Sequence, residues 1–230
     1  LYTHKGAEVI IKNENNRHLT PDERSAEDAS EVINKKHDKP FFMAVGFNRP
    51  HTPLYAPQKY FDMFPLDSLR LSPFLENDLE DCAESLWKKK DMSGTGFFRY
   101  QQYNDAGGKE LLLKVTQAYL ACVASVDDQI GKIVEAIENC EYGDNTLIIV
   151  TSDHGYHLGE HDFWAKVSLR DESSQVPLIV RVPGVAPAVC SSFVELVDLF
   201  PTTAALCGLD VPSRIQGQDL RPMLGEPTRQ

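Results

Sequence analysis

The chain has 230 residues, 42% of them hydrophobic and 25% charged, which is ordinary for a globular protein and enough for a packed core. Its net charge of −11 argues against a nucleic-acid partner, and no run approaches the ~20 apolar residues of a membrane span. The five cysteines lack CxxC spacing, so they make neither a disulfide framework nor a zinc site; each reads as a small buried hydrophobe, although one pair could form in a secreted protein.

Residues 21–34 predict a helix, with Thr20 as N-cap, Pro21 at the first position and Asp22 and Glu23 in the first turn. Residues 41–47 are apolar without alternation, the pattern of a strand covered on both faces. Residues 50–108, rich in prolines, aromatics and glycines, read as a long irregular connection of the kind that builds pockets; the lysine run at 88–90 reads as a solvated face. From 109 to 139 the apolar positions 112, 115, 119, 122, 126, 130, 133 and 137 step by three or four, one amphipathic helix. At 1.5 Å per residue it is about 45 Å long.

A turn at 142–145 leads into an apolar, β-branched strand at 145–150, and a second strand at 176–182 ends at Pro183 and Gly184. Residues 196–207 predict the last core helix, stopped by Gly208, with Pro201 marking a kink or a helix start. Strands alternating with helices predict an α/β fold, a doubly wound and mostly parallel sheet flanked by helices. No repeat, low-complexity tract or linker divides residues 1–230, which read as part of one domain.

Chemistry concentrates after the 145–150 strand. Asp153 and His154 sit where that strand runs into a loop, and the carboxyl ends of strands are where open α/β sheets bind ligands. Asp beside His there is a metal-site candidate, and Gly155 lets the backbone turn sharply. Alone, these residues read better as an Asp-Gly-type turn with surface histidines. Lys166 follows in a Phe-Trp-Ala-Lys run, where an ammonium held against apolar neighbours wants an anionic partner, or snorkels to water. A cation next to an anion-binding lysine suits a sulfate- or phosphate-bearing substrate.

Thr-Ser-Asp-His-Gly at 151–155, Leu-Gly-Glu-His at 158–161, Trp-Ala-Lys at 164–166 and Val-Pro-Leu-Ile-Val at 176–180 together resemble the C-terminal metal-site segment of the type I sulfatases, alkaline-phosphatase-like hydrolases, and within them the iduronate-2-sulfatase-like branch. Residues 39–53, a strand followed by Asn-Arg-Pro-His-Thr-Pro, resemble that branch's Pro-His-x-Pro loop, and 119–131 and 194–209 resemble its flanking helices. The matches run in order from about Asp22 to about Leu224.

The resemblance implies roles. Asp153, with His154 beside it, would bind Ca²⁺ or Mg²⁺, cations that prefer oxygen donors, so the imidazole is the weaker candidate. Lys166 would neutralise charge on the transferring group. His51 would contact the sulfate or the leaving oxygen as donor or general acid; taken alone it reads equally as a loop histidine between prolines. These residues are expected to converge at the carboxyl ends of adjacent strands. Tyr156, His157, Glu160 and His161 lie nearby and either select the substrate or support the loop.

The family's nucleophile is a formylglycine made from Cys or Ser in a Cys/Ser-x-Pro/Ala-x-Arg motif. None of Cys82, Cys122, Cys140, Cys190 and Cys207 begins such a motif, and neither does any serine; the family's paired first-strand aspartates are missing too. The chain is therefore expected to be the C-terminal part of a sulfatase that hydrolyses a sulfated carbohydrate, with an N-terminal half as its partner and a periplasmic, secreted or lysosome-like location. A phosphonate monoesterase or phosphodiesterase, or an inactive binding remnant, are the alternatives.

Overall fold

A computed structural model of the chain describes residues 8–11, 17–73, 75–84 and 95–225. The lysine run at 88–90 lies outside them. By internal contacts the chain forms two compact units, one of residues 1–145 and 150–179 and one of 146–149 and 180–230.

In the first unit, helix α1 (Pro21–Ile33) begins with a complete capping box. The Thr20 hydroxyl accepts from the Glu23 amide at 3.2 Å, and the Glu23 carboxylate accepts from the Thr20 amide at 2.7 Å. Ala26, Ala29 and Ile33 form its buried face, which packs on the long helix α3 (Thr95–Asn139). Strand β1 (Glu8–Ile11) runs parallel to β2 (Leu54–Pro57), with Glu8 opposite Leu54 and Ile11 opposite Pro57. Helix α2 (Gln58–Asp62) follows directly and places Tyr60 and Phe61 in the core.

Two expectations change here. Residues 41–47 form no strand: they lie outside any ladder, with Phe42 83% exposed. A strand apolar on both faces needs covering on both, and β2 is the strand that finds it, by pairing with β1 and packing on α3. Phe41 instead meets His37 at 4.4 Å and the Tyr142 ring at 6.1 Å. Helix α3 also starts at Thr95, earlier than the sequence indicates, and is broken at Gly108 (φ 56°, ψ −146°). The added stretch is held by tertiary contacts: Phe97 packs edge-on against Phe163 at 4.9 Å, and Tyr103 against Trp164 at 5.2 Å.

Beyond Gly108 the helix matches the sequence reading, but its buried stripe is rotated. Leu112, Val115, Ala118, Ala121, Cys122, Ser125 and Gln129 are buried, while Val126 and Ile130 are only half-buried. Small residues on the stripe let α1, with its own Ala26 and Ala29, approach closely. Gln129 is satisfied by donating to the Ser125 carbonyl at 3.2 Å and accepting from Lys132 at 2.8 Å.

Strand β3 (Ile148–Thr151) pairs with β6 (Leu178–Arg181). Between them lie a short antiparallel pair, β4 (His157–Leu158) with β5 (Trp164–Ala165), and helix α4 (Asp171–Ser174). The described residues thus form three two-stranded sheets and not one continuous wound sheet. In the second unit, a 3-10 turn at Leu196–Asp198 leads into α5 (Leu199–Leu206), followed by α6 (Arg221–Gly225). Pro201 falls in the first turn of α5, where its missing N–H costs nothing. Gly208 (φ 69°) ends α5 in a Schellman motif: its amide donates to Ala205 O at 3.2 Å, and the Leu209 amide to Ala204 O at 2.8 Å. No helix of the described residues is long and apolar enough to cross a membrane. The described cysteines are all free, but of the five only Cys122 is the buried hydrophobe expected; burial pushes its thiol up to about 12, whereas Cys190 and Cys207 are exposed.

Candidate functional site

The loop after β3 turns on contacts its own sequence does not announce. The Ser152 hydroxyl donates to His154 O at 2.9 Å, and the Asp153 carboxylate accepts the His154 amide at 3.1 Å, so the Asp-His pair is fixed by local bonds. Gly155 is needed for a reason other than the turn freedom expected of it. Its φ is not positive; instead a Cβ there would lie 2.1 Å from Glu172 O and 2.8 Å from Gln175 O. The Gly155 amide donates to Ser173 O at 2.8 Å, drawing the 171–175 backbone against the loop.

Lys166 arrives from the other side. In the β4–β5 hairpin His157 faces Ala165 and Leu158 faces Trp164. Trp164 and Ala165 are buried, and Ala165 takes φ 88°, a conformation non-glycine residues rarely adopt. Such strain persists only where surrounding packing over-determines it. Immediately after it, Lys166 Nζ lies 2.6 Å from His154 Nε2. His154 Nδ1 is 2.8 Å from the Gly155 carbonyl, which can only accept, so Nδ1 carries the proton and the Nε2 lone pair accepts from Lys166. Asp153 Oδ2 lies 3.4 Å from the same Nε2. Asp153, His154 and Lys166 therefore come together, with Asp153 exposed and the other two half-buried.

A second layer supports this cluster. His157 is completely buried, its Nε2 bonded to the Ser168 hydroxyl at 2.9 Å and its Nδ1 left 4.0 Å from Glu172. Burial lowers its pKa. Ser168 donates in turn to Ser173 at 2.9 Å. His161 Nδ1 meets Asp78 at 2.6 Å and its Nε2 approaches Glu172 at 3.6 Å, while Glu160 accepts from Ser72 at 2.5 Å and from the Leu158 amide at 2.6 Å. Tyr156 stacks on Tyr119 at 4.8 Å, and burial pushes both phenols up to about 12, which keeps them neutral. All four residues near the motif thus have structural partners.

His51 occupies its own loop. Its side chain is exposed, its amide donates to Asn48 O at 2.9 Å, and its Nδ1 lies 2.7 Å from Thr52 O. Among the described residues no hydrogen bond joins it to the Asp153–Lys166 cluster. The loop is held from beneath by Arg49, whose guanidinium donates to the carbonyls of His51 and Pro53, and by Asp22, which accepts the amides of Asn48 and Arg49. Asp22 reads in sequence only as a helix-start acid, and Arg49 as part of a motif; that they meet across 27 positions was not legible. The same holds for Asp78, Ser168 and Glu172, which no local pattern marks.

Asp153 Oδ2 and His154 Nε2 are the donor atoms that could hold a divalent cation, although Lys166 Nζ, 2.6 Å away, already occupies Nε2. Two adjacent ligand atoms around an ion at 2.3–2.6 Å stand about 3.4 Å apart when they subtend a right angle. That is the separation of Oδ2 and Nε2. They form two positions of a shell, and the described residues contain no group of three or more His, Cys, Asp or Glu side chains that could hold a metal ion.

The family model described as Sulfatase matches residues 2–209. A sulfatase of Formosa agariphila is 36% identical over 207 residues, covering 90% of this chain and 40% of that protein. Iduronate 2-sulfatase of Homo sapiens is 32% identical over a 228-residue alignment covering 84% of this chain and 41% of that protein. Among solved structures, the phosphonate monoester hydrolase of Agrobacterium radiobacter superposes with a TM-score of 0.71 at 29% identity, covering 88% of this chain and 42% of that one. The chain spans about two-fifths of the length of the curated relatives it matches.

Proposed function

Since this chain belongs to the sulfatase family, we propose that it supplies the cation-binding and anion-neutralising side of a sulfuric ester hydrolase acting on a sulfated carbohydrate. The observation that carries the reading is the convergence of Asp153, His154 and Lys166, with the lysine 2.6 Å from the imidazole and the carboxylate 3.4 Å from it. Asp153 and His154 are assigned to a divalent cation, Ca²⁺ by the width of their bite and Mg²⁺ as the smaller alternative. When bound, the cation would polarise a sulfate oxygen. Lys166, which lies 2.6 Å from His154 Nε2, is assigned to a second sulfate oxygen, offsetting the chain's net charge of −11, which by itself repels an anionic ester. His51 is assigned to the leaving oxygen as proton donor. In this family a formylglycine supplies the nucleophile; no motif for it occurs in these 230 residues. The doubly wound sheet is proposed for the enzyme as a whole, with residues 1–230 as part of its catalytic domain.

The test compares an aryl sulfate with an aryl phosphonate monoester on the enzyme that contains this segment. We expect the sulfate to be preferred, and Lys166→Ala to lower kcat/KM by about 10²- to 10³-fold, the scale of losing one oxyanion contact. Preference for the phosphonate would favour the reading suggested by the Agrobacterium radiobacter structure. An unchanged rate in Lys166→Ala would remove the lysine from the mechanism.

A further inference from the structure

We propose that Asp22 and Arg49 are positioning residues that lock the loop of residues 48–53 so that His51 presents Nε2, with its proton kept on Nδ1. The role for His51 itself rests on the function proposed above. Both side chains of the pair are only 4% exposed, although each carries a full charge. A buried ion pair of this kind stabilises a fold little, because desolvation cancels most of the attraction. Here even the direct contact is loose: Arg49 Nε stands 3.8 Å from Asp22 Oδ2 and has no hydrogen-bond partner.

The strong bonds of the pair go elsewhere. Asp22 accepts the Asn48 amide at 2.6 Å and the Arg49 amide at 3.1 Å. The Arg49 guanidinium donates to the carbonyls of His51 and Pro53 and lies 4.2 Å over the Tyr55 ring. With the His51 amide given to Asn48 O at 2.9 Å, the backbone of His51 is held at both its nitrogen and its oxygen. Two buried charges thus brace one exposed imidazole. Its Nδ1 faces the Thr52 carbonyl at 2.7 Å, and a carbonyl only accepts, so the proton stays on Nδ1. Nε2 is left for a ligand, as a lone pair when the ring is neutral and as an N–H donor when it is protonated.

Long-range ¹H–¹⁵N spectra of the imidazoles in the full 230-residue chain read this directly, with the His51 signals assigned by their loss in His51→Gln. The expected spectrum of the unmodified chain above neutral pH is the Nδ1–H tautomer. Arg49→Met and Asp22→Ala should move His51 toward the Nε2–H form that unconstrained imidazoles favour, and Asp22→Ala should speed exchange of the Asn48 and Arg49 amides at least about tenfold. An Nε2–H tautomer in the unmodified chain overturns the proposal, as does an Nδ1–H tautomer kept by both variants when circular dichroism shows them folded. If either variant fails to fold, the other and the unmodified spectrum still decide. Failure of the His51 role would appear separately, as unchanged aryl sulfate turnover when His51→Gln is made in the enzyme that contains this segment, while the unmodified 230-residue chain shows the Nδ1–H tautomer.

Discussion

Gly155 and His157 are two residues whose positions tolerate little change, for different reasons. At Gly155 there is no room: an added Cβ meets two backbone carbonyls, and backbone cannot rotate away as a side chain can. Gly155→Ala is expected to cost about 3 kcal/mol, the upper range for overpacking, measured by urea unfolding; a loss under about 0.5 kcal/mol would mean the 171–175 backbone is not held against the loop. At His157 the constraint is electrostatic. Burial depresses the pKa of the folded-state imidazole below its ordinary value of 6.5. Below that pH the unfolded chain takes up a proton that the native state refuses, so this contribution is fully present above about pH 6.5 and falls away as the pH drops toward the folded pKa. Unfolding curves at pH 7.5 and 5.5 should therefore show acid destabilisation that is smaller in His157→Asn than in the unmodified chain. Equal slopes in both would show that His157 is not the titrating group.

Helix α1 shows how an element is set by its ends. Thr20 and Glu23 close the capping box, and Arg17 grips the Glu23 carboxylate at 2.6 Å, holding that carboxyl down to about 2 from 4.5. Because the folded value lies below the unfolded one, the carboxylate stabilises the fold above about pH 4.5, and that stability is lost as the pH falls toward about 2. Thr20→Ala should cost about 1 kcal/mol at neutral pH, and Glu23→Gln should flatten the acid limb of stability between those values. An acid limb unchanged in Glu23→Gln, followed by circular dichroism, would place the titration elsewhere. Helix α3 is set differently. Gly108 breaks it where the sequence suggests an irregular connection, yet the preceding turns stay helical because their aromatic residues are buried against Phe163 and Trp164.

For the molecule as a whole, the balance between net charge and local charge decides binding. A chain at −11 attracts divalent cations weakly and everywhere, so tight binding requires a converged shell of ligands. Asp153 and His154 offer one carboxylate oxygen and one nitrogen, where Ca²⁺ takes six to eight ligands, several of them carboxylates. Calorimetric titration of the 230-residue chain with Ca²⁺ at physiological ionic strength should accordingly give a Kd weaker than about 10⁻⁴ M, the range of the weakest protein calcium sites. Micromolar binding abolished by Asp153→Asn would mean that other residues of this chain complete the shell.

The sequence by itself determined what depends on near neighbours. The cap of α1, the span of the long helix after Gly108 and the stop at Gly208 are local matters of dihedral preference, capping and apolar period, and each is present in the structure. The family, too, was legible, because its motifs are short and ordered along the chain. Tertiary structure decided what depends on partners distant in sequence. It rotated the buried stripe of α3 toward small residues that admit α1, and it gave the strand beside β1 to Leu54–Pro57 instead of the more apolar 41–47. It brought Lys166 to His154 and Asp22 beneath the loop of His51. No local pattern encodes these pairings, because a buried charge or an unpaired strand edge is satisfied by whichever group the fold delivers to it, and that delivery depends on the packing of the entire unit.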